Sequence, residues 1–282
     1  MIWVGTSWKM NKTLAEAAAF IDELSAHPVP HGIQPFVLPL LRWRASETDC
    51  RLTLRSCWAL RTRIGAPKGE GTGEISMRMA ADAGATLIEI GHSERREHVG
   101  ETDHTASLKV AAAVNHGLIP LLCVGEPGTV RDAGHATEFV MRQVAAALSR
   151  LAPSRIGQVI IAYEPVWAIG PSGHPARLDE VGPMLTLISE VVAEISSGSS
   201  ALAVLYGGSV NASNAADLLS DPHTGGLFVG RAGWTASEFI QLLELCAFAR
   251  KCHQCRSDAP TRKNQASCPS RERPATSTEI LT

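Results

Sequence analysis

The sequence predicts a parallel α/β fold, a closed (β/α)8 barrel, from three observations. Short β-rich runs alternate with helical ones over most of the chain, most of those runs are continuously apolar, and unusual polar residues follow their ends. A continuous apolar run marks a strand covered on both faces, as parallel strands are; a strand with one wet face alternates instead. With 282 residues, 45% hydrophobic and 19% charged, the chain is long enough to bury one large core. A doubly wound open sheet is the alternative at this length, but no run is followed by the G-x-G-x-x-G turn of dinucleotide-binding sheets.

The elements follow in order. Ile2–Trp8 is the first strand, and "TLAEAAAFIDEL" the clearest helix. There Thr13 with Glu16 three residues on makes a capping box, and Leu14, Ala17, Ile21 and Leu24 share one face. Further strands are predicted at Pro35–Leu38, Thr86–Ile90, Leu118–Val124, Val159–Tyr163, Leu202–Tyr206 and Leu227–Val229. Between them, helical patterns cover Ile75–Ala83, Thr102–His116, His135–Leu151, Leu178–Ile195, Ser213–Leu219 and Ala236–Ala249. The barrel domain is expected over 1–248, followed by a disordered, polar tail over 249–282.

Charge and composition exclude several functions. A formal net charge of -2 offers no long-range attraction to nucleic acid or an anionic membrane, so an anionic ligand needs a local site. No apolar run reaches the roughly 18 residues of a membrane span. "MIWVGTSWKM" leads straight into a strand without a signal-peptide pattern, and seven scattered cysteines fit reduced thiols; a cytoplasmic location is expected.

In such barrels chemistry gathers where strands end at their C-terminal side. Ser7 and Lys9 follow the first strand, His92 and Glu94 follow "TLIEIG", and Glu164 follows "VIIAY". Glycine-rich turns, "YGGSVN" and "VGRAGW", follow the last two strands. Each has a plainer reading alone: an ion pair for Glu164 or Lys9, a satisfied core histidine for His92, a tight connection for each turn. Together on one rim they suit one reaction. A carboxylate can take a carbon-bound proton if the enolate formed beside it is stabilised. A neutral imidazole and an ammonium supply that stabilisation, and backbone N–H groups in the turns suit a phosphate. The implied substrate is a small phosphorylated hydroxy-carbonyl compound, and the reaction a proton transfer between neighbouring carbons, for which no cofactor or metal is required.

"SWKMN", "GHSERREHVGE", "CVGE", "AYEPVWAIG" and "LYGGSVN", in that order, resemble the triosephosphate isomerase family over most of 1–40 and 72–248. The resemblance implies Lys9 as electrostatic partner, His92 as electrophile, Glu164 as base and Glu94 as a supporting carboxylate. It also implies phosphate on the backbone of Gly170, Ser209, Gly230 and Arg231, a closing loop over Pro165–Ala176, and a homodimer. The glutamate base and neutral histidine under a closing loop are that family's familiar arrangement.

Three departures lie at the substrate. The family's Asn-Trp-Lys is Ser7-Trp8-Lys9, the loop ends in "PSGHPA", and the second glycine after the last strand is Arg231. Arg231 either adds a charge-assisted phosphate contact or is a solvated arginine near the site. These departures are similar to the L-erythrulose-1-phosphate isomerases of erythritol breakdown, whose substrate is favoured here over triose phosphates. A non-catalytic barrel that keeps a phosphate pocket is the remaining alternative.

Residues 41–71, with six arginines, two tryptophans and two cysteines, stand where the family has its third strand and the loop that inserts into a second subunit. They have no clean period, and a shifted reading frame between compensating insertions or deletions is expected. The homodimer is thereby in doubt, although "RLTLRSC" could still fill the third barrel position through Leu52 and Leu54. In the tail, Cys252-His253-Gln254-Cys255 is half a zinc pattern without a second half, and no metal is expected.

Overall fold

A computed structural model describes residues 1–39, 55–58, 74–170, 173 and 175–257, with backbone alone for 55–58 and 252–257. Eight parallel strands close into a barrel in sequence order: β1 Ile2–Ser7, β2 Ile33–Leu38, β3 Arg55–Trp58, β4 Leu87–Ile90, β5 Ile119–Val124, β6 Ile160–Tyr163, β7 Ala203–Tyr206 and β8 Gly226–Val229. The predicted barrel is therefore observed. Closure runs from Trp3↔Gly226 to Thr6↔Val229 between β1 and β8.

The strands are apolar throughout because both faces are buried. Trp3, Phe36, Leu38, Leu87, Leu121, Cys123, Ile160, Ala162, Leu205 and Phe228 form one cluster inside the barrel. Their chain neighbours Val4, Val37, Ile88, Leu122, Ile161, Tyr163, Val204, Tyr206 and Leu227 belong to the second, larger cluster under the helices. Odd and even positions thus divide between two cores, as the two-residue period of a strand requires. Phe36 stacks on Phe228 at 5.8 Å between centroids and meets Trp3 edge-on at 6.2 Å, filling the inside.

The described helices are α1 Leu14–Ser25, α2 Met77–Asp82, α3 Ser93–Val99, α4 Asp103–Asn115, α5 Gly128–Asp132, α6 Ala136–Leu148, α7 Leu178–Ile195, α8 Ala215–Leu218 and α9 Ala236–Ser257. The Thr13–Glu16 capping box starts α1, and Ala17, Phe20, Ile21 and Leu24 face the core. Leu14, expected on that stripe, is exposed, so the buried face begins one turn later. The sequence reading lacks α3 and α5. The last helix continues through Ser257, beyond Ala249 where the polar tail was expected to begin; 258–282 lie outside the described residues.

The third position is occupied by Arg55–Trp58, paired through Phe36↔Arg55 to β2 and through Cys57↔Leu87 to β4. Leu52, Leu54 and the remainder of 41–71 lie outside the described residues. Among the described residues no helix is long and apolar enough to cross a membrane.

Candidate active site

Barrel geometry gathers the polar residues that are far apart in the chain. Ser7, Lys9, His92, Glu94, Glu164, Gly170, Ser209, Gly230 and Arg231 all line one cavity of about 440 Å³ at the C-terminal ends of the strands. Every site residue predicted from the sequence is therefore in the same place.

On one side, charged side chains crowd together. Lys9, just past β1, has a left-handed backbone at φ 50°, and its Nζ donates to Glu94 Oε1 at 2.5 Å. Burial works to raise the Glu94 carboxyl, but the Lys9 hydrogen bond and charge outweigh it and hold it below the ordinary range. His92 caps the N-terminus of α3: its Nδ1 accepts the Glu94 N–H at 3.2 Å. A ring nitrogen that accepts carries no proton, so the neutral ring has its proton on Nε2. Burial, then the Lys9 ammonium, push this imidazole down to about 4, so it is neutral at pH 7.

Glu164 follows β6, its backbone N–H bound to the Val124 carbonyl at 2.7 Å. The residue is only 3% exposed. Among the described residues its Oε2 has no hydrogen-bond partner, and it stands 3.8 Å from His92 Nε2. That gap is too long for a hydrogen bond and leaves the carboxylate and the imidazole facing a common space. Burial, then the nearby Glu89 carboxylate, push Glu164 up to about 8, against the pull of Lys9.

The other side is made of turns. After β7, Asn211 Oδ1 accepts the N–H groups of Ser213 and Asn214 at 2.8 and 3.2 Å, and Asn214 Nδ2 donates to the Ser209 carbonyl at 2.9 Å. The glycines before them leave room for side chains. A Cβ at Gly207 would lie 2.7 Å from Glu164 Cγ, and one at Gly208 would lie 2.2 Å from the Tyr206 hydroxyl. After β8, Arg231 Nη2 donates to the Gly170 carbonyl at 3.2 Å, joining the last turn to the segment that follows Glu164.

Several supports were not foreseen from the sequence. Trp234 Nε1 donates to the Ser7 carbonyl at 3.1 Å, fixing the end of β1 from the far end of the chain. Glu126 accepts from Trp167 Nε1 at 2.7 Å and from the Tyr163 hydroxyl at 3.1 Å, and the Arg131 guanidinium lies 3.7 Å over the Trp167 ring. These contacts hold the start of the segment after Glu164. Only the acidic residue of "CVGE" hinted at them. Glu89, buried on β4, was also missed, because within "TLIEIG" it reads as one polar residue in an apolar run. Among the described residues no group of three or more His, Cys, Asp or Glu is placed to hold a metal ion; Cys252–Cys255 lie beyond the described side chains.

Residues 2–246 match the family model described as triosephosphate isomerase. Among curated proteins, the chain is 44% identical over 254 residues to the L-erythrulose-1-phosphate isomerase of Mycolicibacterium smegmatis, covering 87% of this chain and 93% of that one. It is 46% identical over 251 residues to the protein of the same name from Mesorhizobium japonicum, covering 86% and 95%. The one from Rhizobium meliloti is 46% identical over 257 residues, covering 88% and 98%.

Proposed function

The chain belongs to the triosephosphate isomerase family, and from that premise we propose that it is a sugar-phosphate isomerase converting L-erythrulose 1-phosphate to D-erythrulose 4-phosphate. The observation that carries the chemistry is the pair of Glu164 and neutral His92 facing each other across 3.8 Å at the floor of the cavity. The choice of a four-carbon substrate draws on the names of the relatives and on Ser7, a smaller side chain than the family's asparagine, beside the reacting end.

In this reading the phosphate is held by the backbone of Gly170, Ser209, Gly230 and Arg231, with the Arg231 guanidinium adding charge. Glu164 removes the proton from C3 while negative charge grows on the C2 oxygen. His92 Nε2–H donates to that oxygen and Lys9 stabilises its charge. His92 then gives its Nε2 proton to the C2 oxygen and takes the hydroxyl proton from the C3 oxygen. Glu164 returns its proton to C2, which leaves the carbonyl at C3. Glu94 keeps Lys9 in place through the 2.5 Å bond, and its N–H fixes the tautomer of His92.

A homodimer and a cytoplasmic location accompany this reading, the first resting on family resemblance and measurable by sedimentation of the full chain. The function is tested by giving the purified protein L-erythrulose 1-phosphate and dihydroxyacetone phosphate separately. Faster turnover of the four-carbon compound is expected; turnover of the triose alone returns the reading to triosephosphate isomerase, and turnover of neither returns it to a non-catalytic barrel.

A further inference from the structure

Among the described residues, Glu89 is the one carboxylate inside the barrel that the proposed chemistry does not use. It lies on β4 two residues after Leu87, and Glu164 lies two residues after Ala162; Leu87 and Ala162 both face the inside of the barrel. By the two-residue period of strands both carboxyl groups face inward as well. Between β4 and β6 runs β5, paired through Glu89↔Leu121 and Cys123↔Ala162, and its inward Cys123 lies within the field of both carboxylates. Glu89 is 7% exposed, and among the described residues its buried Oε1 has no hydrogen-bond partner, nor has Glu164 Oε2.

Among the described residues no cation forms an ion pair with Glu89. The groups that act on it are Lys9, Glu94, Arg95 and Glu101, and it acts in turn on Cys123 and Glu164 across β5. The two cations that act on it are each committed elsewhere: Lys9 to Glu94 at 2.5 Å and Arg95 to Glu101 at 2.6 Å. Lys109 also serves Glu101, at 3.0 Å. A hydrocarbon side chain would fill an interior barrel position without the cost of a buried charge. We propose that Glu89 is a positioning residue for Glu164: the two inward carboxyl groups share the barrel interior as like-charged neighbours, and Glu89 thereby sets how readily Glu164 takes up and gives back its proton. Both groups are displaced upward. Burial first raises Glu89 to about 7, and burial followed by Glu89 raises Glu164 to about 8. Two such groups titrate as a pair.

This inference rests on the reading of Glu164 as the base, and its test is independent of turnover. Full-length protein carrying carbon-13 at the glutamate carboxyl carbons is titrated by NMR through the neutral range. The Glu164 and Glu89 signals are assigned by their loss in Glu164→Gln and Glu89→Gln. In Glu89→Gln the Glu164 midpoint is expected to fall by about one unit or more. In Glu164→Gln the Glu89 midpoint is expected to fall by the same amount, because coupling between two sites is reciprocal. The second variant carries the test alone if the first does not fold. An unmoved midpoint in a folded variant overturns the inference. With substrate, the acidic limb of the kcat/KM profile is expected to move to lower pH in Glu89→Gln, which a purely structural role would not cause. Coupling without turnover would sink the isomerase reading and keep this one; turnover without coupling would do the reverse.

Discussion

The two sides of the cavity solve different problems with different parts of the chain. Beside β1, β4 and β6 lie the buried side chains to which the proposed mechanism gives the chemistry, and their proton affinities are displaced by burial and by neighbouring charges: His92 to about 4 and Glu164 to about 8. Beside β7 and β8 the site is built from turns, with Arg231 as the charged side chain that lines it. Backbone amides do not titrate near neutrality, so in the proposed mechanism the second side would give a pH-independent grip on a charged group. The first side changes state while the second holds still.

The largest way to sharpen that contrast is Glu164→Gln. Removing the base while keeping its shape is expected to lower kcat by about 10³-fold or more, with phosphate binding unchanged by calorimetry. Gly207→Ala reaches the same group from the opposite side. Its new Cβ would stand 2.7 Å from Glu164 Cγ, and displacing the base by a fraction of an ångström is expected to cost about 10²-fold in kcat. If kcat is unchanged, the two sides are less tightly joined than the distance implies. Arg231→Ala acts on the gripping side, and KM is expected to rise about tenfold with kcat nearly constant.

The smallest effect is on stability. Glu89 and Glu164 both bind protons more tightly when folded than an ordinary carboxylate. The folded state therefore holds extra protons from about pH 4.5 to about pH 8, and stability falls as pH rises through that window. His92, lowered by burial, acts in the opposite sense and costs stability as pH falls from about 6.5 towards 4. Glu89→Gln is thus expected to match wild type near pH 5 and exceed it by about 1–2 kcal/mol near pH 8, measured by urea unfolding.

What could be read from the sequence follows the same division. Seven of the eight strands were legible because burial on two faces leaves unbroken apolar runs, whereas β3 has none; of the residues lining the cavity, Lys9, His92, Glu94 and Glu164 were legible from their place after strands and Ser209, Gly230 and Arg231 from glycine turns, while Gly170 came only from family resemblance. Supports that join distant segments were not legible. Nothing near Trp234 says that its indole reaches the Ser7 carbonyl 227 residues away, and nothing near Gly207 says that Glu164 needs the space. Glu89 was hidden for a different reason: the inward side of a parallel strand is known only once the register is, and a single glutamate in "TLIEIG" reads as an interruption. Local pattern reveals elements and their ends, while electrostatics inside the barrel depends on which strands become neighbours.

The most direct test of the account is solvent-deuterium incorporation, followed by NMR with L-erythrulose 1-phosphate and the purified protein in D₂O. Proton transfer through Glu164 predicts enzyme-dependent deuterium at the carbon beside the carbonyl, and its loss in Glu164→Gln. Equal incorporation by wild type and Glu164→Gln, or product formed with no deuterium from solvent, would contradict it.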